Sequence, residues 1–585
     1  MRKWMPAIYF IGVLILASVV SAATARYIDA PPMAQAVNQP VGEVKKSDTV
    51  QVPIITWGGD IATIYGNGNA SLTVKGSVFD KLGLKLKLVR EDDFSKQLAS
   101  YLKGESPYLR GTMGMINQAI EAASADPRTK PFVVYQMTWS VGGDALAVKD
   151  GIKTPKDLKG KTVAVQAYGP HVDYLAKILD SAGLSIKDVK IKWTKELTGK
   201  DNTPVAAFRI KKKDANNKDN LDYVDAAMVI SPDAMALTSG GKVGTGSEDS
   251  VRGARIMLTT KTGNRIIPDV YVVRADYLEA NRDKVEKFVG GLMLAEEALR
   301  KVFQEKQSQP VAYQQMITAA ADILLDSSQA VSDAEGLYAD AEFVGYKGNV
   351  KFFGDPNYPR NMDKLTGEIQ SSLAALGLLS KRVSLSHARW DYNKLKAGLT
   401  DTAGIEAPRF VEAEVAKVVT QKQQQGTLAE GQLFSFEIYF QPNQNAFTSD
   451  LYVDAFKKAV ELAATYGGAV ITVEGHSDPL GYLRAKKGAT PQVALERMKQ
   501  AAKNLSLSRA SAVRDNLIQF AKKNGVNLDP TQFATVGHGI VQPKNGMCGE
   551  DPCAPKSEQE WRNNMRVEFR IIQIEAEASV FKPVQ

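Results

Sequence analysis

Residues 157–165 read DLKGKTVAV and form the most informative segment of the N-terminal half. Gly160 ends a short basic turn, and the apolar run after it predicts a buried strand. The loop Ala167-Tyr168-Gly169-Pro170 follows, and the next residues predict a helix from His171 to about Ser181. A strand, a tight loop and a helix in this order predict an α/β domain.

The same alternation extends on both sides of this segment. Further strands are predicted at Val52–Trp57, Leu84–Val89, Phe132–Met137, Val189–Trp193 and Ala226–Ile230. Helices are predicted at Asp93–Leu102, Met113–Ser124, Pro204–Phe208 and Asp276–Phe303, with more helices from about 310 to 400. We therefore expect one α/β domain over residues 51–400.

A polar segment, QKQQQG at 421–426, predicts a linker over residues 401–431. Beyond it, strands are expected at Leu433–Phe440, Ala469–Glu474 and Val567–Ile574, and helices at Leu451–Tyr466 and Leu507–Lys523. This order predicts a small α+β domain over residues 432–585.

The composition fits a large protein of several domains. The chain has 585 residues, of which 44% are hydrophobic and 24% charged. A net charge of +8 is too dilute over this length to indicate nucleic-acid binding. With 2 Cys and 4 His and no His-x-x-x-His spacing, the sequence predicts no metal centre and no cofactor.

The N-terminus has the form of a secretory signal. Arg2 and Lys3 precede an apolar run from about Met5 to Val20, and small residues continue to Ala25. Residues 1–25 are thus expected to be a signal peptide or an uncleaved membrane anchor. Residues 26–50, with several prolines, are expected to be a linker. Either reading places the rest of the chain in an exported, periplasmic compartment.

The two cysteines also fit such a compartment. Cys548 and Cys553 bracket the turn-forming segment Gly-Glu-Asp-Pro. An oxidising environment favours a disulfide between them, whereas a redox-active pair usually has the spacing Cys-x-x-Cys. We expect a structural disulfide.

The segment DLKGKTVAV, with SVGGDAL at 140–146 and DVYVVR at 269–274, resembles the periplasmic solute-binding proteins of nitrate, sulfonate and taurine ABC transporters. The resemblance implies a two-lobed, type II-like periplasmic-binding-protein fold with a small solute held between the lobes. The implied ligand-binding residues are Gly59, Asp60, Gly142, Gly143, Tyr168, Gly169, His171 and Asp269.

One departure concerns the ligand. Gly169-Pro170 replaces the family's Gly-Ser, which removes a hydroxyl and an N–H group that would bind an anion. Trp57, Trp139 and Tyr168 provide a second possibility, an aromatic-lined pocket, although they can equally pack against the lobes.

Four ordered motifs, EGHSD at 474–478, LSLSRA at 505–510, GHG at 537–539 and NMRVE at 564–568, resemble the OmpA-like peptidoglycan-binding domain. The resemblance implies that Asp478 and Arg509 bind the zwitterionic end of diaminopimelate in the stem peptide. Asn443 and Arg566 match further positions of that site. An alternative is an ion pair between Asp478 and Arg509 within the domain.

Two further features distinguish this domain from that family. Residues 484–503 form an extra segment that compact members lack, and Met565 stands where the family has its first Arg. His476 and His538 are expected to orient loops.

The predicted function follows from the two resemblances. We expect an envelope protein that binds a small solute and is tethered to peptidoglycan, with an ABC transporter permease or a sensor as partner. The alternative is a structural cell-wall anchor whose N-terminal domain docks a protein. An enzyme like the related thiamine-pyrimidine synthases is disfavoured, because both cysteines lie in the C-terminal domain.

Overall fold

The computed structural model describes residues 27–213, 216–247, 249–401, 410–429, 432–439 and 452–572. The expected signal or anchor over residues 1–25 lies outside these ranges, and so does Asn443. In the described ranges, every helix falls short of the length or apolar character that a membrane crossing requires.

The strands of the N-terminal domain form two lobes. They are β1 (Val50–Ile54), β2 (Leu86–Arg90), β3 (Tyr108–Thr112), β4 (Pro131–Ser140), β5 (Asp144–Val148), β6 (Thr162–Gln166), β7 (Lys190–Thr194), β8 (Ala226–Ile230), β9 (Arg255–Thr259), β10 (Pro268–Arg274), β11 (Ala341–Phe343) and β12 (Ser386–His387). Lobe 1 has the sheet order β11-β4-β10-β3, with β12 beside β4, and the parallel pair β1–β2. Lobe 2 has the order β7-β6-β8-β5-β9.

The chain crosses between the lobes twice, from β4 to β5 and from β9 back to β10. Both connections run between the end of one sheet and the start of the other. The expected two-lobed architecture with crossing strands is confirmed for this domain.

Helices cover the faces of both sheets. They are α1 (Met33–Ala36), α2 (Asp60–Gly66), α3 (Val78–Lys81), α4 (Phe94–Lys103), α5 (Met113–Ala123), α6 (His171–Ser181), α7 (Pro204–Phe208), α8 (Ser231–Leu237), α9 (Ala275–Ala280), α10 (Arg282–Gln304), α11 (Pro310–Leu325), α12 (Val331–Ala339), α13 (Gly345–Gly354), α14 (Met362–Ala375) and α15 (Tyr392–Leu395). The helix expected at Asp276–Phe303 is divided at Asn281 into α9 and α10.

The segment around DLKGKTVAV folds as its residues predict. The Asp157 carboxylate accepts hydrogen bonds from the backbone N–H groups of Lys153 and Thr154, at 2.9 and 2.8 Å, which closes the turn before β6. Gly160 has φ +76°, a left-handed conformation that glycine adopts without strain. Tyr168 also has positive φ, +61°, so the loop between β6 and α6 is tightly constrained.

The first described segment differs from the expected linker. Met33 and Val37 are buried in the core, where α1 packs on α5. The Ile28 N–H group donates to the Trp193 carbonyl of lobe 2 at 3.0 Å, whereas Gly42 bonds to the end of α4 in lobe 1. This segment therefore lies across both lobes, held by its buried apolar side chains and by backbone hydrogen bonds to each lobe.

The C-terminal domain begins with a helix inside the expected linker. This helix is α16 (Glu412–Gln425), whose buried face of Val415, Val418 and Val419 packs on the C-terminal sheet. The expectation of an extended linker overlooked the i, i+3, i+4 spacing of these valines. Residues 402–409 lie outside the described ranges.

The rest of this domain is α+β, as expected. Its strands are β13 (Gln432–Tyr439), β14 (Val470–His476), β15 (Phe533–Gly539), β16 (Met547–Cys548), β17 (Asp551–Pro552) and β18 (Arg566–Ile572), and its helices are α17 (Val453–Thr465), α18 (Leu480–Lys487), α19 (Gln492–Lys523) and α20 (Glu558–Asn564). The main sheet has the order β13-β18-β14-β15, in which β14 and β15 are parallel. Cys548 and Cys553 form the expected disulfide, which closes the β16–β17 hairpin.

The C-terminal domain docks on the second crossing of the N-terminal domain. The Gly468 N–H group donates to the Thr262 carbonyl at 3.2 Å, and the Arg265 N–H group donates to the Thr465 carbonyl at 3.2 Å. Lys177 of α6 contacts Glu461 of α17 at 2.5 Å and Glu368 of α14 at 3.2 Å. The junction therefore involves both lobes and the segment between them.

Replacement of Gly468 by Ala tests this junction. A Cβ atom there would lie 1.7 Å from the Lys261 carbonyl oxygen, so the two domains must separate at this point, at a cost of about 1–3 kcal/mol. We expect faster amide hydrogen exchange over residues 261–265. The matched control is Gly481→Ala, because a Cβ there meets nothing within 4 Å. Unchanged exchange in both variants would contradict this junction.

Candidate functional site

Asp144 stands where the two crossings of the N-terminal domain meet. Its carboxylate accepts a hydrogen bond from the Ser140 hydroxyl at 2.6 Å and lies 2.7 Å from Nε2 of His171. The Asp144 backbone N–H donates to the Thr260 hydroxyl at 3.1 Å. Asp144 thus links, through its side chain and its backbone N–H, the end of β4, the start of β5, the residue after β9 and the first residue of α6.

A second buried network fixes the first cleft loop. Arg110 of β3 contacts Asp60 at 2.9 Å and Asp269 at 2.7 Å, and the three side chains are almost fully buried. Burial raises the pKa of Asp60 to about 7 and also raises the pKa of Asp269, although Arg110 opposes both shifts. Asp60 and Asp269, two of the predicted ligand residues, therefore share Arg110 as their partner. This shared contact holds loop 57–60 against lobe 1.

The glycines of the predicted cleft contact other parts of the protein. A Cβ at Gly143 would lie 2.6 Å from the Trp57 ring, and one at Gly142 would lie 2.2 Å from Asp340. A Cβ at Gly58 would lie 1.9 Å from the carbonyl oxygen of Leu337 in α12. These loops pack on one another, which explains why glycine is needed at each of them.

The aromatic residues do not line one common pocket. Trp139 is 3% exposed and packs edge-on against Phe352. The Trp57 ring N–H donates to Thr138 at 3.0 Å, and the Tyr168 hydroxyl donates to the Pro31 carbonyl at 2.7 Å. Packing against the lobes accounts for them.

The boundary between α5 and α6 holds polar atoms that sequence reasoning missed. Asp173 is buried, and neither carboxylate oxygen bonds to another residue. Its Oδ1 faces Gly114, the second residue of α5, where a Cβ would lie 1.9 Å away. Gln118 reaches across the boundary and donates to the Gly169 carbonyl at 3.3 Å, whereas its Oε1 has no donor. The signal available in the sequence was an Asp at the third position of a helix whose neighbours are apolar.

Asp478 and Arg509 lie at one edge of the C-terminal sheet. Asp478 follows β14, and its carboxylate accepts the Leu480 N–H at 3.1 Å. Gly475 and Gly539 allow α19 to approach this edge, where the Ser506 hydroxyl accepts a hydrogen bond from the Gly539 N–H at 2.9 Å. Arg509 is one helical turn after Ser506. The ion pairs of the described ranges do not include one between Asp478 and Arg509, and burial raises the pKa of Asp478.

Arg566 is engaged within the domain. Its guanidinium lies 3.2 Å from Glu437 and 3.7 Å from Glu568, and its side chain is 6% exposed. This position leaves it less access to a ligand than Asp478 and Arg509, which are both about half-buried.

The extra segment of residues 484–503 builds a separate layer beside Asp478. It completes α18 and forms the first third of α19, and Tyr482, Leu495 and Ile540 make a small core under it. The disulfide hairpin closes over this layer, because Asp551 accepts from the Tyr482 hydroxyl at 3.0 Å and from Lys486 at 2.5 Å.

The fold also brings together Glu474, His476 and His538. The two rings stack at 4.8 Å, and His538 lies 2.7 Å from Glu474. Burial, together with the positive field of Arg566, His538 and Arg570, lowers the pKa of His476 to about 2. The three ligand atoms are close enough to surround an ion. However, the neighbouring guanidinium groups oppose a cation, so the residues present do not fit a metal site.

Comparisons with known proteins address the N-terminal domain. Residues 79–301 match a family model described as NMT1/THI5 like, which covers parts of both lobes but less than half of the chain. No curated protein matches in a sequence search.

Several solved structures are similar to part of the chain. They include the alkanesulfonate-binding protein SsuA from Xanthomonas axonopodis pv. citri bound to MOPS, at 15% identity over 58% of this chain and 97% of that chain, with a TM-score of 0.37. The periplasmic aliphatic sulphonate binding protein SsuA from Escherichia coli shares 16% identity over 62% of this chain and 96% of its own, with a TM-score of 0.36. The desulfurization enzyme DSZB shares 15% identity over 60% of this chain and 99% of its own, with a TM-score of 0.33. These scores are too low to add weight to the family match.

Asp173→Asn tests the buried carboxylate. Burial raises the pKa of Asp173 to about 7, whereas the pKa of an Asp side chain in the unfolded chain is about 4. The free energy of unfolding therefore falls as the pH rises between these two pKa values, and the fall is complete above the pKa of the folded state. We expect the neutral variant to be more stable than the parent by about 2–4 kcal/mol at pH 8, and by little near pH 4 (roughly), in thermal melts.

The control is Asp180→Asn, which removes a charge from an exposed position of the same helix. A stability difference between Asp173→Asn and the parent that is the same at both pH values would contradict the burial of an ionisable carboxyl.

Proposed function

We propose that the N-terminal domain binds a small solute between its lobes and presents it to an ABC transporter permease or a sensor in the periplasm. The observation that carries this proposal is the two-lobed fold with its two crossings, where Ser140 of lobe 1 meets Asp144 and His171 of lobe 2. The family match over residues 79–301 also supports a solute-binding fold.

We propose that the work of this domain is binding, without bond-making. Carboxylates at the cleft are engaged by Arg110, Ser140 and His171, which orient rather than activate them. Both cysteines are joined in a disulfide of the other domain, away from the cleft.

A thermal-shift screen of the purified protein tests solute binding. A ligand that binds only the folded state raises the melting temperature. At a concentration of a hundred times its Kd, it raises the free energy of unfolding by about 2.7 kcal/mol. The screen contains sulfonates, nitrate, phosphate, amino acids, amines and aromatic acids. We expect saturable stabilisation by one class. No shift from any class would refute solute binding.

The alternative function is a structural cell-wall anchor whose N-terminal domain docks a protein. The packing of Gly58, Gly142 and Gly143 against neighbouring segments favours it, because a filled cleft leaves less room for a solute. A silent screen with a folded protein would support this alternative.

We also propose that the C-terminal domain tethers the protein to peptidoglycan. Asp478 suits the ammonium group of diaminopimelate, and the Arg509 fork suits its carboxylate. The position of Asp478 directly after β14, at the edge that α19 approaches, supports this assignment. Tethering would keep the first domain at a high local concentration beside the wall.

Sedimentation with purified peptidoglycan tests the tether. We expect Asp478→Ala and Arg509→Ala each to weaken binding by roughly 10-fold or more, since each removes a charge-assisted contact. Asp515→Ala on the exposed side of α19 is the control and should bind as the parent does. Equal binding by all variants would show that another surface of the protein binds peptidoglycan.

A further inference from the structure

The extra segment of residues 484–503 carries a strong positive charge. It contains six Lys or Arg residues and a single acidic residue, Glu496, which gives it a net charge of +5. The net charge of the whole chain is +8. This short segment builds the layer beside Asp478, because it completes α18 and begins α19. A concentrated positive charge beside a binding site attracts the anionic groups of a ligand.

Two of these cations share the exposed side of α18. The helix begins at Leu480, whose N–H group donates to the Asp478 carboxylate at 3.1 Å. Arg484 and Lys487 are three residues apart, so they lie on the same side of the helix, and both are exposed. Tyr482 is buried in the small core under the layer. The solvent side of α18 therefore presents two cations along a helix that starts at the proposed site.

Arg484 is close enough to Asp478 to influence its ionisation. Burial raises the pKa of Asp478, whereas hydrogen bonds from Trp561 and the Leu480 N–H and the positive field of Arg484 oppose this rise. Within the described ranges, neither Arg484 nor Lys487 forms an ion pair. Both cations are therefore accessible to a ligand that binds at Asp478.

The neighbouring acids have cations or N–H groups of their own. The ion pairs around the layer are Lys486–Asp551 at 2.5 Å, Lys499–Glu496 at 3.0 Å and Arg562–Glu558 at 2.6 Å. Glu560 accepts the backbone N–H of Lys556 at 2.7 Å at the start of α20, and Glu550 lies exposed at the turn of the disulfide hairpin. The paired acids do not neutralise Arg484 and Lys487, so the exposed side of α18 favours an anionic group.

We propose that Arg484, with Lys487 beside it, binds a second carboxylate of the peptidoglycan stem peptide, that of the glutamate next to diaminopimelate. This inference rests on the proposed tether and extends its site into the extra layer. When diaminopimelate is held at Asp478 and Arg509, the glutamate carboxylate is carried by the adjacent residue of the same peptide. A guanidinium binds a carboxylate bidentately, and the Lys487 ammonium adds attraction. Arg484 thus selects stem peptides whose glutamate carboxylate is free over those in which it is amidated.

Isothermal titration of the purified protein with two synthetic peptides tests this selectivity. The probes are L-alanyl-γ-D-glutamyl-meso-diaminopimelate and the same peptide amidated at the glutamate α-carboxylate. We expect the parent to bind the free form more tightly than the amidated form by roughly 5-fold to 10-fold, since one exposed charge-assisted contact is lost. Arg484→Gln should bind both forms equally, because the cycle of the two changes removes the same contact. Arg484→Lys should keep part of the preference.

The matched control is Arg497→Gln, which removes the same charge from an exposed position of α19 in the same layer and should keep the preference of the parent. Equal binding of the two peptides by the parent, or an unchanged preference in Arg484→Gln, would overturn the inference and leave the tether intact. An equal loss of preference in Arg497→Gln would also overturn it, because the effect would then come from net charge.

Asp478→Ala separates this inference from the tether. We expect it to weaken the binding of both peptides, because it removes the contact to the diaminopimelate ammonium that the two forms share. Failure of the parent to bind either peptide would count against the tether and the inference together. Melting curves of each variant confirm that it is folded.

Discussion

The carboxylate of Asp144 is the interaction on which the two-lobed domain depends. It lies where the chain passes from one lobe to the other, and it joins Ser140 before the first crossing to His171 at the start of α6. Because the group is buried, loss of one partner would leave a buried polar atom without its hydrogen bond, at a cost of about 1–3 kcal/mol. The relative position of the lobes, and hence the boundary between α5 and α6, follows from this contact.

Two other parts of the chain span the same boundary. The segment from Ile28 to Gly42 contacts lobe 2 at one end and lobe 1 at the other. On another side, Lys177 of lobe 2 contacts both Glu368 of lobe 1 and Glu461 of the C-terminal domain. A cavity of about 650 Å³ lies beside this junction, lined by residues of both domains such as Lys364 and Phe520. Movement of the lobes relative to each other would therefore change the surface on which the C-terminal domain packs.

In the C-terminal domain, a separate structural layer lies beside the proposed binding site at Asp478. The parallel strands β14 and β15 of this domain end together, and glycines there let α19 pack closely against the strand ends that Asp478 follows. The extra segment and the disulfide hairpin hold each other through Asp551. A loop closed by a disulfide loses little entropy on docking, so it can hold α18 in place beside the site.

The local elements of this protein were determined by the sequence alone. The strand at 162–166 and the helix from His171 occur where the apolar pattern and the turn residues predict them, because such signals act over a few neighbouring residues. The disulfide was also predictable, since its cysteines are five positions apart. The valines of α16 carried a helical signal that the polar composition of its segment concealed.

Only the tertiary structure decided which distant residues meet. Asp60 and Asp269 share Arg110 although more than a hundred residues separate Arg110 from Asp269 along the chain, and Asp173 faces Gly114 from the other lobe. No local pattern encodes such contacts, because they depend on how two sheets and their helices pack in three dimensions. The same reason explains why the buried, unsatisfied carboxylate of Asp173 became visible only in the folded chain.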